Sequence, residues 1–156
     1  MSGLLTMLAW GANYGPKTSQ GEWWRLITSL FLHFGVMHLM FNMLALRSVG
    51  RMVERLLGGT GFAMGYLASG FFGSLASAAW HEDVVSAGAS GAVFGVFGML
   101  LAFVAGRHEV FPAELLKAHR SSVIMFLVLN LFLGSQIPGI DQAAHAGGFV
   151  AGMVCG

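Results

Sequence analysis

Four polar side chains set in apolar surroundings have the types and spacing to carry out acyl transfer: Ser90, His145, His38 and Asn42. Ser90 lies in Ala87-Gly88-Ala89-Ser90-Gly91-Ala92-Val93-Phe94-Gly95, at the head of a strongly apolar run. An alcohol is a weak nucleophile until a base within ~2.6–3.2 Å takes its proton. His145 is the candidate base, because imidazole titrates near neutral pH. The developing oxyanion needs donors, and His38 and Asn42, four residues apart, share one helix face. The Ser90 amide is a third donor, and each such donor is worth ~2.7–4 kcal/mol in the transition state. The last apolar run holds no carboxylate and Asp141 precedes it in a loop, so the set reads as a Ser-His dyad. Taken singly, each residue also has a structural reading. A G-x-S-G in a membrane helix is mostly packing, a histidine near a helix end often bonds backbone, and a membrane asparagine often bonds another helix, for ~0.6 kcal/mol.

Convergence on one place separates these readings, and it depends on the elements that carry the residues. The chain has 156 residues, 56% of them hydrophobic and only 10% charged, with mean hydropathy +0.72. Soluble domains run nearer ~25% charged, so the composition points to a membrane protein. The net charge of +1 offers nothing to nucleic acid, and the single cysteine excludes an internal disulfide framework. The 23 glycines lack a collagen period and fit closely packed helices.

The expected architecture is all-α, a polytopic bundle of membrane helices. Residues 1–25 read as an irregular outer loop with interfacial tryptophans, and helices are expected at about 26–46, 58–80, 87–106, 121–137 and 143–156. The final run is too short to cross a core of ~30 Å at ~1.5 Å per residue, so the chain is expected to stop within its last helix. Arg47, Arg51 and Arg55 follow the first run, and Arg107, Lys117 and Arg120 follow the third. By the positive-inside rule these links are cytoplasmic and the links at 81–86 and 136–142 are outside. Six of the eight Lys and Arg residues obey this assignment, with Lys17 and Arg25 as exceptions.

With that topology Ser90 and His145 both enter from the non-cytoplasmic side, at similar shallow depth, and His38 and Asn42 hang from a third helix. Gly91, Gly95 and Gly98 recur along the third run, and Gly148 and Gly152 along the last. Small residues four apart let two membrane helices approach closely, which brings the histidine within reach of the serine. His33 sits near the outer end of the first run. His81, His108 and His119 fall in links and read as surface residues, and Asn130 reads as an interhelical bond. There is no H-E-x-x-H, so a zinc protease is excluded.

These motifs together resemble the rhomboid intramembrane serine proteases. The likeness rests on Gly21-Glu22-Trp23-Trp24-Arg25, His38-x-x-x-Asn42, Gly88-Ala89-Ser90-Gly91, and Ala144-His145-Ala146-Gly147-Gly148 with Gly152, in that order over nearly the whole chain. The resemblance implies Ser90 as nucleophile, His145 as base, and His38 and Asn42 in the oxyanion hole. It implies supporting roles for Gly88, Gly91, Gly148 and Phe94, and places Trp24 and Arg25 in a membrane-embedded loop. Glu54 and Arg55 resemble the family's acid–base pair, although a solvated helix end describes them equally well. Two departures stand out. The family core has six helices, of which the first is expected to be missing from this sequence and the last to be cut at Gly156. Phe94 stands where some members have tyrosine, so it can stack on His145 but donates no hydrogen bond.

The function implied is cleavage of peptide bonds in or near transmembrane segments, through an acyl-enzyme, by an integral multi-pass protein whose site faces the non-cytoplasmic side. Transmembrane protein substrates and the lipid bilayer are the expected partners, with no nucleic acid, cofactor or metal. The rival is a catalytically inactive rhomboid-like protein that binds membrane helices. A third reading, a transporter, predicts polar groups at several depths, whereas residues 58–80 offer only small hydroxyls and Tyr66.

Overall fold

The computed structural model describes residues 3–106 and 140–156, with 124, 125 and 128 between them. The helix expected over 121–137, the link at 107–120, and Asn130, His108 and His119 lie outside the described residues. The chain is all-α. Its described elements are α1 (Gly3–Trp10), α2 (Gly15–Ser19), α3 (Arg25–Thr28), a 3-10 turn (Ser29–Phe31), α4 (Val36–Trp80), α5 (Ser90–Gly106) and α6 (Gln142–Cys155).

The entry segment is more ordered than an irregular loop, since apolar Leu4–Trp10 forms most of α1 and Pro16 opens α2 at a position that needs no amide donor. The first long helix is also displaced from the expected 26–46. It starts at Val36, after Leu32 turns extended and Gly35 takes φ 149°. Absence of charge over 26–46 does not reveal that turn, and the helix continues through Arg47, Arg51, Glu54 and Arg55, all good helix formers. These four side chains are exposed.

Helix α4 has 45 residues and, among the described residues, is the one long and apolar enough to cross a membrane. Gly58, at φ 74° and ψ 164°, divides it into two arms. An L side chain is strained there, so glycine makes the break. The arms fold back on each other, with the Phe62 ring 3.5 Å from where a Cβ on Gly50 would stand.

The centre of the bundle is α5. Every residue from Gly91 to Leu100 is buried, and Val93, Val96, Phe97 and Met99 form one core with Val49 and Val53 of α4. The absence of side chains at the crossings makes this density possible. A Cβ on Gly148 or Gly152 of α6 would fall on the carbonyl oxygen of Gly91 or Gly95 respectively. A Cβ on Gly73 of α4 would stand 2.7 Å from the Ala144 carbonyl oxygen. Helices α4, α5 and α6 therefore meet backbone to backbone around the N-terminal ends of α5 and α6.

Candidate active site

Ser90 is the first residue of α5. The strap leading into it is tied to the N-terminal third of the chain at Ser86, Gly88 and Ala89. Ser86 and Asn13 exchange two backbone hydrogen bonds of 2.8 Å, the Gly88 amide donates to the Ser29 carbonyl at 3.0 Å, and the Ala89 amide donates to His33 Nε2 at 3.3 Å. Buried Asn13 anchors this from below, donating from its side chain to the Ser74 carbonyl at 2.7 Å and accepting from the Thr18 hydroxyl at 2.8 Å. The Ser29 and Ser74 hydroxyls share a further bond of 3.2 Å.

His33 must be neutral at Nε2 to accept from Ala89. Burial and the neighbouring His38 hold its pKa below the ordinary 6.5, which agrees with that role. Its ring meets His38 edge-on at 5.2 Å between centroids.

Gly88 is the close approach that admits His38. It takes φ 140°, and a Cβ there would stand 2.8 Å from His38 Cε1 and 3.0 Å from Nε2, with Ser90 Oγ 3.8 Å away. One turn below His38, Asn42 is 6% exposed and donates one amide hydrogen to the His38 carbonyl at 2.9 Å. Its second amide hydrogen stays available to a ligand.

His145 lies on the first turn of α6, 6% exposed. The Phe94 ring stacks on it at 4.2 Å and 13°, fixing the plane of the imidazole. Asp141 caps α6, its carboxylate accepting the Ala144 amide at 2.9 Å. It therefore stands just outside the helix, as expected of a residue in the preceding loop, and only four residues before His145. An aspartate immediately before an apolar run is the signal that marks such a cap.

Ser90, His145, His38, Asn42, Gly88, Gly91, Phe94 and Asp141 all border a single cavity of about 590 Å³. Ser90 and His145 make no hydrogen bond to each other in this state. Catalytic bonds are often long before substrate binds. What the arrangement can do is present a hydroxyl, an imidazole and two side-chain donors to one extended peptide.

Trp24 and Arg25 do not border the cavity. Arg25, 4% exposed, donates to the carbonyls of Leu8 and Ala12 at 2.7 and 2.9 Å and to Glu22 at 2.6 Å. It lies over the Trp24 ring, 4.6 Å from its centroid. The hydrogen bond from Arg25 holds the Glu22 carboxyl below its ordinary range. The pair staples α1 and α2 onto the chain that carries Ser29 and His33, so its link to the site is indirect. Glu54 and Arg55 are exposed near the Gly58 break. Ser29, Ser74 and Asn13 carried no sequence signal, because their partners are distant in the chain. Among the described residues no cluster of His, Cys, Asp and Glu is arranged to hold a metal ion.

Comparison with known proteins bears on this geometry. The family model for the Rhomboid domain matches residues 20–156. The chain is 42% identical over 147 residues to "Rhomboid protease GluP" of Bacillus subtilis, covering 94% of this chain and 28% of that protein. It is 40% identical to "RHOMBOID-like protein 4" of Arabidopsis thaliana, covering 97% and 38%. Against "Putative rhomboid protease YdcA" of Bacillus subtilis it is 35% identical over 91% of this chain and 72% of the relative. The chain thus spans well under half the length of the first two relatives.

Proposed function

The chain belongs to the rhomboid family of integral membrane proteins, and on that premise we propose that it is a serine endopeptidase cutting membrane proteins in or beside their transmembrane segments. Ser90 Oγ attacks the scissile carbonyl carbon while His145 Nε2 takes the hydroxyl proton. The oxyanion is met by the Ser90 amide, His38 and the free amide hydrogen of Asn42. Collapse of the tetrahedral intermediate breaks the C–N bond, and the proton passes from His145 to the leaving amine. Water then attacks the acyl-enzyme with His145 again as base, releasing the new carboxylate and restoring Ser90.

The observation that carries this reading is that four polar side chains from α4, α5 and α6 border one cavity otherwise lined largely by apolar residues. Polar groups in a membrane interior are costly and usually functional. The glycine contacts at Gly91–Gly148 and Gly88–His38 supply the physical means of convergence. The arms of α4 on either side of Gly58 are each long enough, at ~1.5 Å per residue, to cross a bilayer core. The positive-inside bias supports a cytoplasmic break and a Ser90 end on the opposite side, since Arg51 and Arg55 lie within the last two turns before Gly58, although Arg47 lies midway along the first arm.

One observation favours a second reading, a membrane-helix binder without activity: Ser90 and His145 are not hydrogen-bonded. A fluorophosphonate probe separates the two. The protease reading expects labelling of the wild type that is lost in Ser90→Ala and in His145→Ala. A wild type that does not label, or Ser90→Ala that labels undiminished, refutes it.

A further inference from the structure

Phe94 stacks flat on the His145 ring. Such a contact fixes the plane of an imidazole but is indifferent to a half-turn of the ring, so it does not select which nitrogen faces Ser90. A polar group must make that choice. For Nε2 to take the serine proton, Nδ1 must carry the hydrogen. Nδ1 is buried and has no hydrogen-bond partner among the described residues. A buried donor left unsatisfied costs ~1–3 kcal/mol, so the site calls for an acceptor close by.

One turn earlier on the same helix face, Asp141 holds an acceptor in the same condition. Its Oδ1 is engaged by the Ala144 amide at 2.9 Å, and its backbone carbonyl accepts the His145 amide at 3.2 Å. Its Oδ2 is buried without a partner. Both residues border the same cavity. An unsatisfied buried donor and an unsatisfied buried acceptor, four residues apart at the start of one helix, are complementary in kind. Gln142 also has an unpartnered buried amide, but it is neutral and lacks a capping bond to fix its direction.

We propose that Asp141 is a positioning residue for His145, holding the Nδ1–H so that Nε2 faces Ser90 and balancing the imidazolium formed when the serine proton is taken. The proposal rests on the reading of Ser90 and His145 as nucleophile and base. Asp141 gains no proton in the cycle; the serine proton travels to Nε2 and on to the leaving amine, while the Nδ1 hydrogen stays in place. The capping bond occupies Oδ1 and leaves Oδ2 as the acceptor for Nδ1–H; the two are not bonded in this structure, so the bond forms by a small turn of the imidazole or carboxylate.

The test uses the full chain in proteoliposomes with a transmembrane substrate and a fluorophosphonate probe. Asparagine caps helices about as well as aspartate, so Asp141→Asn keeps the cap while replacing Oδ2 with an amide that donates. It is expected to hold wild-type thermal stability and KM, with kcat and labelling rate lowered at least about tenfold; loss of the orienting aspartate costs ~10⁴-fold in soluble serine triads. Asp141→Ala should lower kcat similarly and lose thermal stability as well. Gln142→Ala should behave as wild type. Wild-type kcat in Asp141→Asn, or a loss of kcat reproduced by Gln142→Ala, overturns the proposal while leaving the dyad intact. Failure of the wild type to label, or cleavage by Ser90→Ala, refutes the dyad reading and the proposal with it.

Discussion

Gly148→Ala adds one methyl group where α6 rests on α5. That carbon would land on the Gly91 carbonyl oxygen, 2.7 Å from its carbonyl carbon and 3.1 Å from its Cα. Ordinary contact begins near 3.4 Å, so the carbonyl carbon alone requires a separation of about 0.7 Å, and the oxygen requires more. Neither group is a flexible side chain, so the strain passes to the helix axes. His145 lies three residues before Gly148, on the segment that must move. Overpacking of this kind costs ~1–3 kcal/mol of stability, and a misplacement of ~1 Å at a catalytic group costs ~10²-fold in rate. The expected result is a labelling rate and kcat reduced by about two orders of magnitude, with a smaller loss of thermal stability. Gly106→Ala is the control, since among the described residues nothing lies within 4 Å of the added carbon. Wild-type labelling, cleavage and melting in Gly148→Ala would show that the α5–α6 backbone contact does not set the position of His145.

Two further outcomes follow from the same geometry. Asn42→Ala removes the amide hydrogen left free beside the His38 carbonyl bond; kcat should fall ~10²–10³-fold with KM little changed, and an unchanged kcat would remove Asn42 from the oxyanion hole. His33 has its pKa lowered in the fold by burial and by His38, so in acid the unfolded chain takes the proton first. Stability is then at its full value above pH 6.5 and declines as pH falls from 6.5 towards the folded value. His33→Gln, followed by melting between pH 7 and 5, should show a shallower decline, and identical slopes would refute the assignment.

Much of the site was open to sequence reasoning because its signals are local. His38 and Asn42 are one turn apart, Ser90 heads its apolar run, and His145 opens the last one. The small residues beside them are written at helical spacing, so close helix approach was readable before any helix was placed. Asp141 was read only as a loop residue, although an aspartate directly before an apolar run is a cap signal, and its distance from His145 depends on α6 starting at Gln142. The limits of the first long helix were not legible. Hydropathy cannot separate the 3-10 turn at Ser29–Phe31 and the bend at Gly35 from a continuing helix, since those residues are as apolar as the span itself.

Composition and charge spacing were enough to determine a helical membrane protein, because burial in lipid demands long uncharged runs whatever their partners. The candidates for the reactive groups stood out for the same reason, since a polar side chain in such a run is costly. Tertiary structure alone decided how the strap before Ser90 is held. Asn13, Ser29 and His33 bond Ser86, Gly88 and Ala89 across more than fifty positions of sequence, and no local pattern records a bond between residues so far apart. It also decided that Phe94 stacks on His145 and that Arg25 serves the entry loop and not the cavity. Those outcomes depend on which backbones touch, and Gly88, Gly91 and Gly148 permit that contact by having no side chain.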